Sequence, residues 1–512
     1  MDKQLLRNIF SFTNLILVLS IYVLLPASLF SVPANGLDPS WMIGINLAVK
    51  EHLTFGKDFV YMYGPLGFLW TGLVLFVPKI YVVLFHAFII ACITFMINFF
   101  LNKLKSNLSK TIFFLILLFT SANAFNEKAF LLFIIFLFFI FYNLQTKKRL
   151  AIYIAGIIAL ISFFIKMNTG LVLTLMLVFF LLLLSLLKYE RAKFLIFILT
   201  IYFFLLTALS FILHVDLISY ITTSLEIVNY YNDAAILPAQ PSTLAFAVVI
   251  LFTYAIIILA NFKYITRHKL QLFSFFYVSI ALYILFKEGF VRADGHVLIF
   301  FFKIVTLISL LYFFENNGRL KKHLFVGILV IGLLSILPVH LFYPQKDPIK
   351  LACNHIFKIP YKDLILNNYP DHLKQAMKRG KQNSSFSQRI LKKIEEATVD
   401  IIPWDISYVF FNGLNYNPRP VIQSFVAYSE NLDKLNANKY SSAESPDYVL
   451  YTMGTIDNRH PFWDESKTKL AMLRNFKVVD TAIISSKSRK TDSKKNFILM
   501  KKKIWSINND RG

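Results

Sequence analysis

Cysteine is close to absent. Cys92 lies in an apolar run and Cys353 in a polar tail, and these are the only two. No disulfide framework organises the fold, and none is expected even in a tail outside the cytoplasm. Carboxylates are scarce as well, 29 Asp and Glu against 53 Lys and Arg. Missing too are a glycine-rich phosphate loop, zinc-type His/Cys spacing and a Gly-x-Ser-x-Gly elbow. Nucleotide-phosphate, zinc and serine-esterase chemistry are therefore left without their usual residues. No internal repeat is visible.

What is abundant is apolar. Hydrophobic residues make up 57% of the 512 and aromatic residues 16%, with a mean hydropathy of +0.59. A soluble domain of this length cannot hide so much apolar surface, so the expectation is an α-helical multi-pass membrane protein. Apolar runs fall near 9–30, 79–101, 110–125, 129–145, 150–166, 169–187, 193–213, 242–262, 270–287, 297–314 and 322–342. That predicts about eleven transmembrane helices within a domain 1–343, followed by a domain 344–512.

Charge of one sign alternates between the connecting loops. Lys3 and Arg7, Lys103 to Lys110, Lys147 to Arg149, Lys188 to Lys193, Lys263 to Lys269, and Arg319 to Lys322 occupy every second loop, whereas 214–241 has no Lys or Arg. By the positive-inside rule the N-terminus is cytoplasmic. Segments 33–65, 214–241, 287–296 and the tail then lie on the outer face of the membrane. The tail reads as polar helices over 371–397, strands at 398–402, 420–425, 447–452, 477–485 and 496–502, and helices near 405–413, 429–440 and 464–475. This is the pattern of a small extracytoplasmic α/β domain.

Two outer segments hold most of the chemistry. In 35–70, Asp38 and Asp58 bracket a short helix in which Trp41, Ile45 and Val49 share one side. Such a helix would lie flat on the membrane, tryptophan down. Asp38 has two readings, an N-cap before the proline-led helix or a general base. Tyr63-Gly64-Pro65-Leu66-Gly67 makes a turn into the next span. The second segment, 287–296, packs Lys287, Glu288, Arg292, Asp294 and His296 between apolar helices, and charges there are costly unless paired or working. Arginine and histidine suit a lipid phosphate. Lys166, at the end of the fifth span, either snorkels or helps them.

The pattern Asp38, then Gly56-Lys57-Asp58-Phe59, then Tyr63-Gly64-Pro65-Leu66 resembles the first outer loop of GT-C glycosyltransferases. Those enzymes use polyprenyl-phosphate sugars. Asp38 matches their catalytic acid and Asp58 the second loop acid, although Pro39 stands where many carry an adjacent acid. The chain also resembles a bacterial multi-pass membrane family with the segments GLDPSW, YGPLGFL, GFVRADGH and PRPVIQSFVAY.

The resemblance implies a membrane glycosyltransferase that moves a sugar from a polyprenyl-phosphate donor to an envelope glycan, lipid or protein acceptor. Asp38 and Asp58 would be catalytic, and Arg292, His296 and Lys166 would hold the lipid phosphate. Tyr63, Glu288 and Asp294 would support them, while Arg419 and Gln423, in the proline-flanked run 417–425, would face the acceptor. A divalent cation at the aspartates is open and no cofactor is required. Membrane lipids are partners and nucleic acid is not. The alternatives are a transporter or flippase of envelope lipids or glycans, and a non-catalytic scaffold.

Overall fold

The computed structural model describes residues 11–121, 128–487 and 492–503. Lys3, Arg7 and the 122–125 end of the third apolar run lie outside these. The chain is a multi-pass helical membrane protein with a small mixed sheet near its C-terminus. Among the described residues, seven helices are long and apolar enough to span a membrane. They are Ile80–Lys103, Met167–Leu186, Ala192–Ile212, Pro241–Ala260, Lys269–Phe290, Val297–Phe314 and Gly318–Phe342. Four more apolar helices, Phe12–Leu24, Asn107–Thr120, Phe130–Thr146 and Leu150–Ile165, are shorter. The count of about eleven spans is therefore corrected to seven of full length. At 1.5 Å per residue, Phe12–Leu24 and Leu150–Ile165, 13 and 16 residues long, fall clearly short of the roughly 30 Å hydrocarbon core.

The reversal at Lys166 shows how one short helix ends. Lys166 is extended, at φ −144° and ψ 105°, between Leu150–Ile165 and Met167–Leu186. A Cβ on Gly170 would stand 2.0 Å from the Phe163 Cα. A continuous helix would hold those residues about 10 Å apart, so the chain folds back on itself there.

Val297–Phe314 is the most enclosed of the seven long helices, and its two ends differ. Near Phe314, Lys103 donates to the Phe313 carbonyl and to Gln145, while Arg149 pairs with Glu190, so basic side chains hold this end. The other end gathers loops distant in sequence. Phe55 N–H donates to the His214 carbonyl at 2.8 Å, Gly64 N–H to that of Ile165 at 3.0 Å, and Ala293 N–H to that of Leu237 at 3.0 Å. The 214–241 segment, read as a loop, is mostly the helix Leu217–Ala235, started by the Asp216 carboxylate accepting the Ser219 N–H.

The C-terminal sheet runs β2-β1-β3-β5-β4, with β1 Thr398–Ile402, β2 Asn415–Tyr416, β3 Tyr448–Tyr451, β4 Phe476–Lys487 and β5 Asp492–Lys502. β1 is parallel to β2 and β3, and β5 is antiparallel to β3 and β4. The inner strands β1 and β3 are almost wholly buried, and apart from Thr398 and Asp400 they are apolar, as suits strands covered on both faces. The strand expected at 420–425 does not form. The Asn436 amide instead accepts the Val421 N–H at 2.8 Å and donates to the Val421 carbonyl at 3.0 Å, standing in for a neighbouring strand.

This domain sits directly on the gathered loops. Val60 N–H donates to the Pro420 carbonyl at 2.8 Å, and Ser40 Oγ bonds Ser407 Oγ at 3.1 Å. The helix Leu37–Lys50 lies between the two bodies, with Ser40, Trp41, Ile43, Gly44, Ile45, Asn46, Leu47 and Ala48 all buried. The expectation of a helix lying flat on lipid is thereby corrected. A Cβ at Gly44 would meet Ile406 Cδ1 at 2.9 Å, so glycine admits the C-terminal domain on the face opposite the bundle.

Candidate functional site

The helix begins at Leu37 after Gly36, whose φ of 129° is a backbone conformation suited to glycine. Asp38 is therefore inside the first turn and is not the N-cap. Its exposed carboxylate accepts the Trp41 indole N–H at 3.1 Å. Helix polarity favours an anion here, because the first amides point their N–H groups toward it.

Trp41 stacks on Tyr63 with ring centroids 4.6 Å apart and planes 14° from parallel. Tyr61 lies 5.5 Å from Trp41, and Trp70 lies 6.1 Å from Tyr63. The Tyr63 turn is fixed by backbone bonds to the Lys166 reversal on both sides, Met167 N–H to Met62 and Gly64 N–H to Ile165. Only glycine fits at 64, since a Cβ would lie 2.4 Å from Tyr220 Oη and 2.6 Å from the Phe164 carbonyl. Lys166 Nζ then stands 5.6 Å from the Tyr63 ring and 3.0 Å from Glu288 Oε1.

Tyr231, on Leu217–Ala235, links this wall to the 291–296 loop. Burial raises the pKa of its hydroxyl, Arg292 and Lys166 oppose that, and Asp294 and Asp38 add to it. All four charges therefore act on one phenol. Burial likewise raises Tyr61, with Tyr63, Tyr231 and Asp38 contributing. Asp38, Lys166, Glu288, Arg292 and Asp294 thus collect around an aromatic wall at one end of the bundle.

Arg292 is heavily committed. Its Nε donates to Asp294 at 2.9 Å, and Nη1 and Nη2 donate to the two oxygens of Asp457 at 2.8 and 2.9 Å. A longer bond from Nη1 reaches the Ala235 carbonyl. The Asp457 bonds hold the guanidinium pKa well above its ordinary value, against the cost of burial. Burial would raise Asp294, but bonding and charge from His296 outweigh it and hold the carboxyl low. The expected phosphate grip of Arg292 is thus occupied by a carboxylate of the C-terminal domain. His296 is exposed and turned toward Asp294.

Asp58 is not drawn into the cluster by its bonds. Its carboxylate accepts the Thr54 N–H at 2.9 Å within a tight turn, while neighbouring Lys57 pairs with Asp216 at 2.7 Å. Arg419 and Gln423, expected to face an acceptor, are corrected to buried positions at 0% and 2% exposure. Arg419 donates to Asp400, Glu465, Ser424 and the carbonyls of Ile401 and Pro403. A buried guanidinium needs such a shell, and the carboxylates that supply it lie far away in sequence.

Beyond the residues singled out from sequence are Tyr61, Trp70 and Tyr231, while Asp457 comes from the segment 455–461, which the sequence marks as a loop. The Tyr61-Met62-Tyr63 pair and the Tyr230-Tyr231 doublet were the available signals. Behind the Tyr63 turn, Pro65, Leu66 and Leu69 help line an apolar groove of about 660 Å³, flanked by His52 and His214 with ring centroids 5.1 Å apart. Among the described residues, no three His, Cys, Asp or Glu side chains form a group able to hold a metal ion. Comparison with family models, curated proteins and solved structures finds no match.

Proposed function

We propose that this chain is a GT-C-type membrane glycosyltransferase. It transfers a sugar from a polyprenyl-phosphate donor to an envelope glycan, lipid or protein acceptor on the outer face of a bacterial inner membrane. The N-terminus lies in the cytoplasm and the C-terminal domain outside. One observation carries the reading: an exposed carboxylate, Asp38, accepts from Trp41 of an aromatic wall whose Tyr63 ring lies 5.6 Å from Lys166 Nζ. Aromatic faces beside a few convergent polar groups suit the apolar face of a sugar ring. The groups at the opposite end of the bundle, Lys103 and Arg149 among them, agree with the orientation.

In this mechanism Asp38 takes the proton of the acceptor hydroxyl while its oxygen attacks the anomeric carbon. The bond from that carbon to the phosphate oxygen breaks, polyprenyl phosphate departs with the electron pair, and the configuration inverts. Lys166 meets the departing phosphate by exchanging Glu288 for it. The isoprenoid chain lies in the apolar groove. Arg292 has a different task, holding the C-terminal domain over the site through Asp457.

The test is equilibrium binding of polyprenyl phosphate and of polyprenyl-phosphate hexoses to protein in vesicles. Trp70→Ala, at a half-buried member of the wall, is expected to weaken the sugar-bearing lipids about fivefold, as loss of an aromatic contact of about 1 kcal/mol implies, and to leave polyprenyl phosphate unaffected. Equal affinities for both lipids in both proteins would remove the sugar platform.

A further inference from the structure

The last long helix ends at Phe342, yet the chain does not leave the bundle there. Asp347 accepts the N–H groups of Ile349 and Lys350 at 2.8 and 3.0 Å, starting the helix Pro348–Phe357. Ala352 packs with Val23 and Leu118, residues of two apolar helices of the bundle. Lys358 Nζ then donates to the Val23 carbonyl at 2.7 Å, and the N–H groups of Tyr361 and Lys362 donate to the carbonyls of Pro26 and Ala27. Asp363 accepts from Leu29 and Phe30 N–H at 2.9 and 2.7 Å. The whole stretch is strapped across the end of Phe12–Leu24.

Its outward face has the wrong chemistry for water. Ile349, Cys353, Ile356 and Phe357, spaced i, i+4, i+7 and i+8, form one exposed stripe that borders the buried Pro348 and Ala352. Phe357 is 84% exposed, and Ile359, Leu364, Ile365 and Leu366 continue the apolar surface. Lys346, Lys350 and Lys362 are exposed along the same stretch, whereas both of its acids are engaged, Asp347 as a helix cap and Asp363 on the Leu29 and Phe30 N–H groups. An apolar stripe with a basic rim, lying across the ends of membrane helices, is what an interfacial segment requires.

We propose that residues 346–366 form an in-plane anchor seated in the adjacent bilayer leaflet. Ile349, Ile356, Phe357 and Ile365 lie among acyl chains, and Lys346, Lys350 and Lys362 lie at the phosphates of acidic lipids. The anchor fixes the height of the C-terminal domain over the bundle. It does not depend on the glycosyltransferase reading.

Cys353 lies on the stripe and is exposed, while Cys92 is buried, so the native thiol supplies the probe. A Cys92→Ala chain carries a nitroxide on Cys353 in vesicles of phosphatidylethanolamine and phosphatidylglycerol. The unsubstituted chain serves if that variant folds poorly. The nitroxide is expected to collide severalfold more with oxygen than with a water-soluble nickel chelate. A label on Lys477→Cys, at an exposed position of β4, should show the reverse in a Cys353→Ser chain. Replacing phosphatidylglycerol by phosphatidylcholine should move the Cys353 label toward water. Nickel access equal to that of the control would overturn the anchor. Poor access to both quenchers, as under a partner protein or a second copy, would overturn it too. An unchanged depth without acidic lipid would overturn the phosphate contacts.

Discussion

Arg292 and Asp457 form a two-pronged ion pair between the helical bundle and the C-terminal domain, with N–O distances of 2.8 and 2.9 Å across 165 residues of sequence. Both side chains are largely covered, at 18% and 22% exposure, and Asp457 achieves the contact from a left-handed backbone at φ 55°. The pair fastens the domain to the site, together with Ser429 on Glu226 and the backbone bond from Val60 to Pro420.

Breaking that pair should loosen the domain rather than unfold the bundle. A double-mutant cycle of Arg292→Ala and Asp457→Ala is expected to give a coupling of about 1–3 kcal/mol, read from thermal unfolding in detergent. Protease cleavage between Met453 and Glu465 should rise in each single variant. The pH dependence has a definite sign. Hydrogen bonds from Arg292 hold the Asp457 carboxyl below its usual range. The stabilisation is full above the ordinary carboxylate pKa near ~3.9 and is lost as pH falls through the depressed value. Additive single-variant effects, or cleavage unchanged from neutral pH to pH 3, would contradict the clasp.

Arg419 should matter for folding and not for substrate. Its guanidinium fills a buried site built from Asp400, Glu465, Ser424 and two carbonyls. Removing one member of such a set leaves an uncompensated charge, at about 3–5 kcal/mol. Arg419→Ala is expected to lower the melting temperature sharply. Arg419→Lys should recover little, because lysine lacks the planar fork that reaches these acceptors together. A wild-type melting temperature in Arg419→Lys would contradict this assignment.

The contrast between these arginines shows what a single sequence discloses. Local signals were legible: apolar runs marked the helices, short β-branched and aromatic runs marked β1 and β3, and Tyr63-Gly64-Pro65 marked a turn that the close approach of Phe164 and Tyr220 requires. Arg292 and Arg419 both stand in short segments rich in punctuating residues, and each invites a reading as a ligand contact, Arg292 to phosphate and Arg419 to acceptor. Arg292 has one carboxylate, Asp294, two residues on, but Asp457 and the two partners of Arg419 lie 165, 19 and 46 residues away, beyond any local window. Leu217–Ala235 was hidden for another reason. Its Thr, Asn, Ser and Asp content matches a loop, and its helix is stabilised by packing and by the Asp216 cap. Tyr231, which links both halves of the site, was hidden with it.

The most direct test compares the two aspartates of the first loop, Asp38 and Asp58, in one assay. Both are exposed and share a loop, but Asp38 faces the aromatic wall while Asp58 closes a turn on Thr54. Vesicle-reconstituted protein is supplied with polyprenyl-phosphate hexoses and an envelope extract as acceptor, and release of polyprenyl phosphate is followed. Asp38→Asn is expected to bind donor normally and to lose about 10²-fold or more of the rate, the scale of lost general-base help. Asp58→Asn, which keeps a turn-capping oxygen, is expected to stay within about threefold of wild type, as suits a surface change costing under ~0.5 kcal/mol. Wild-type turnover in Asp38→Asn would contradict the assignment of Asp38 as the base, and with it the proposed reaction.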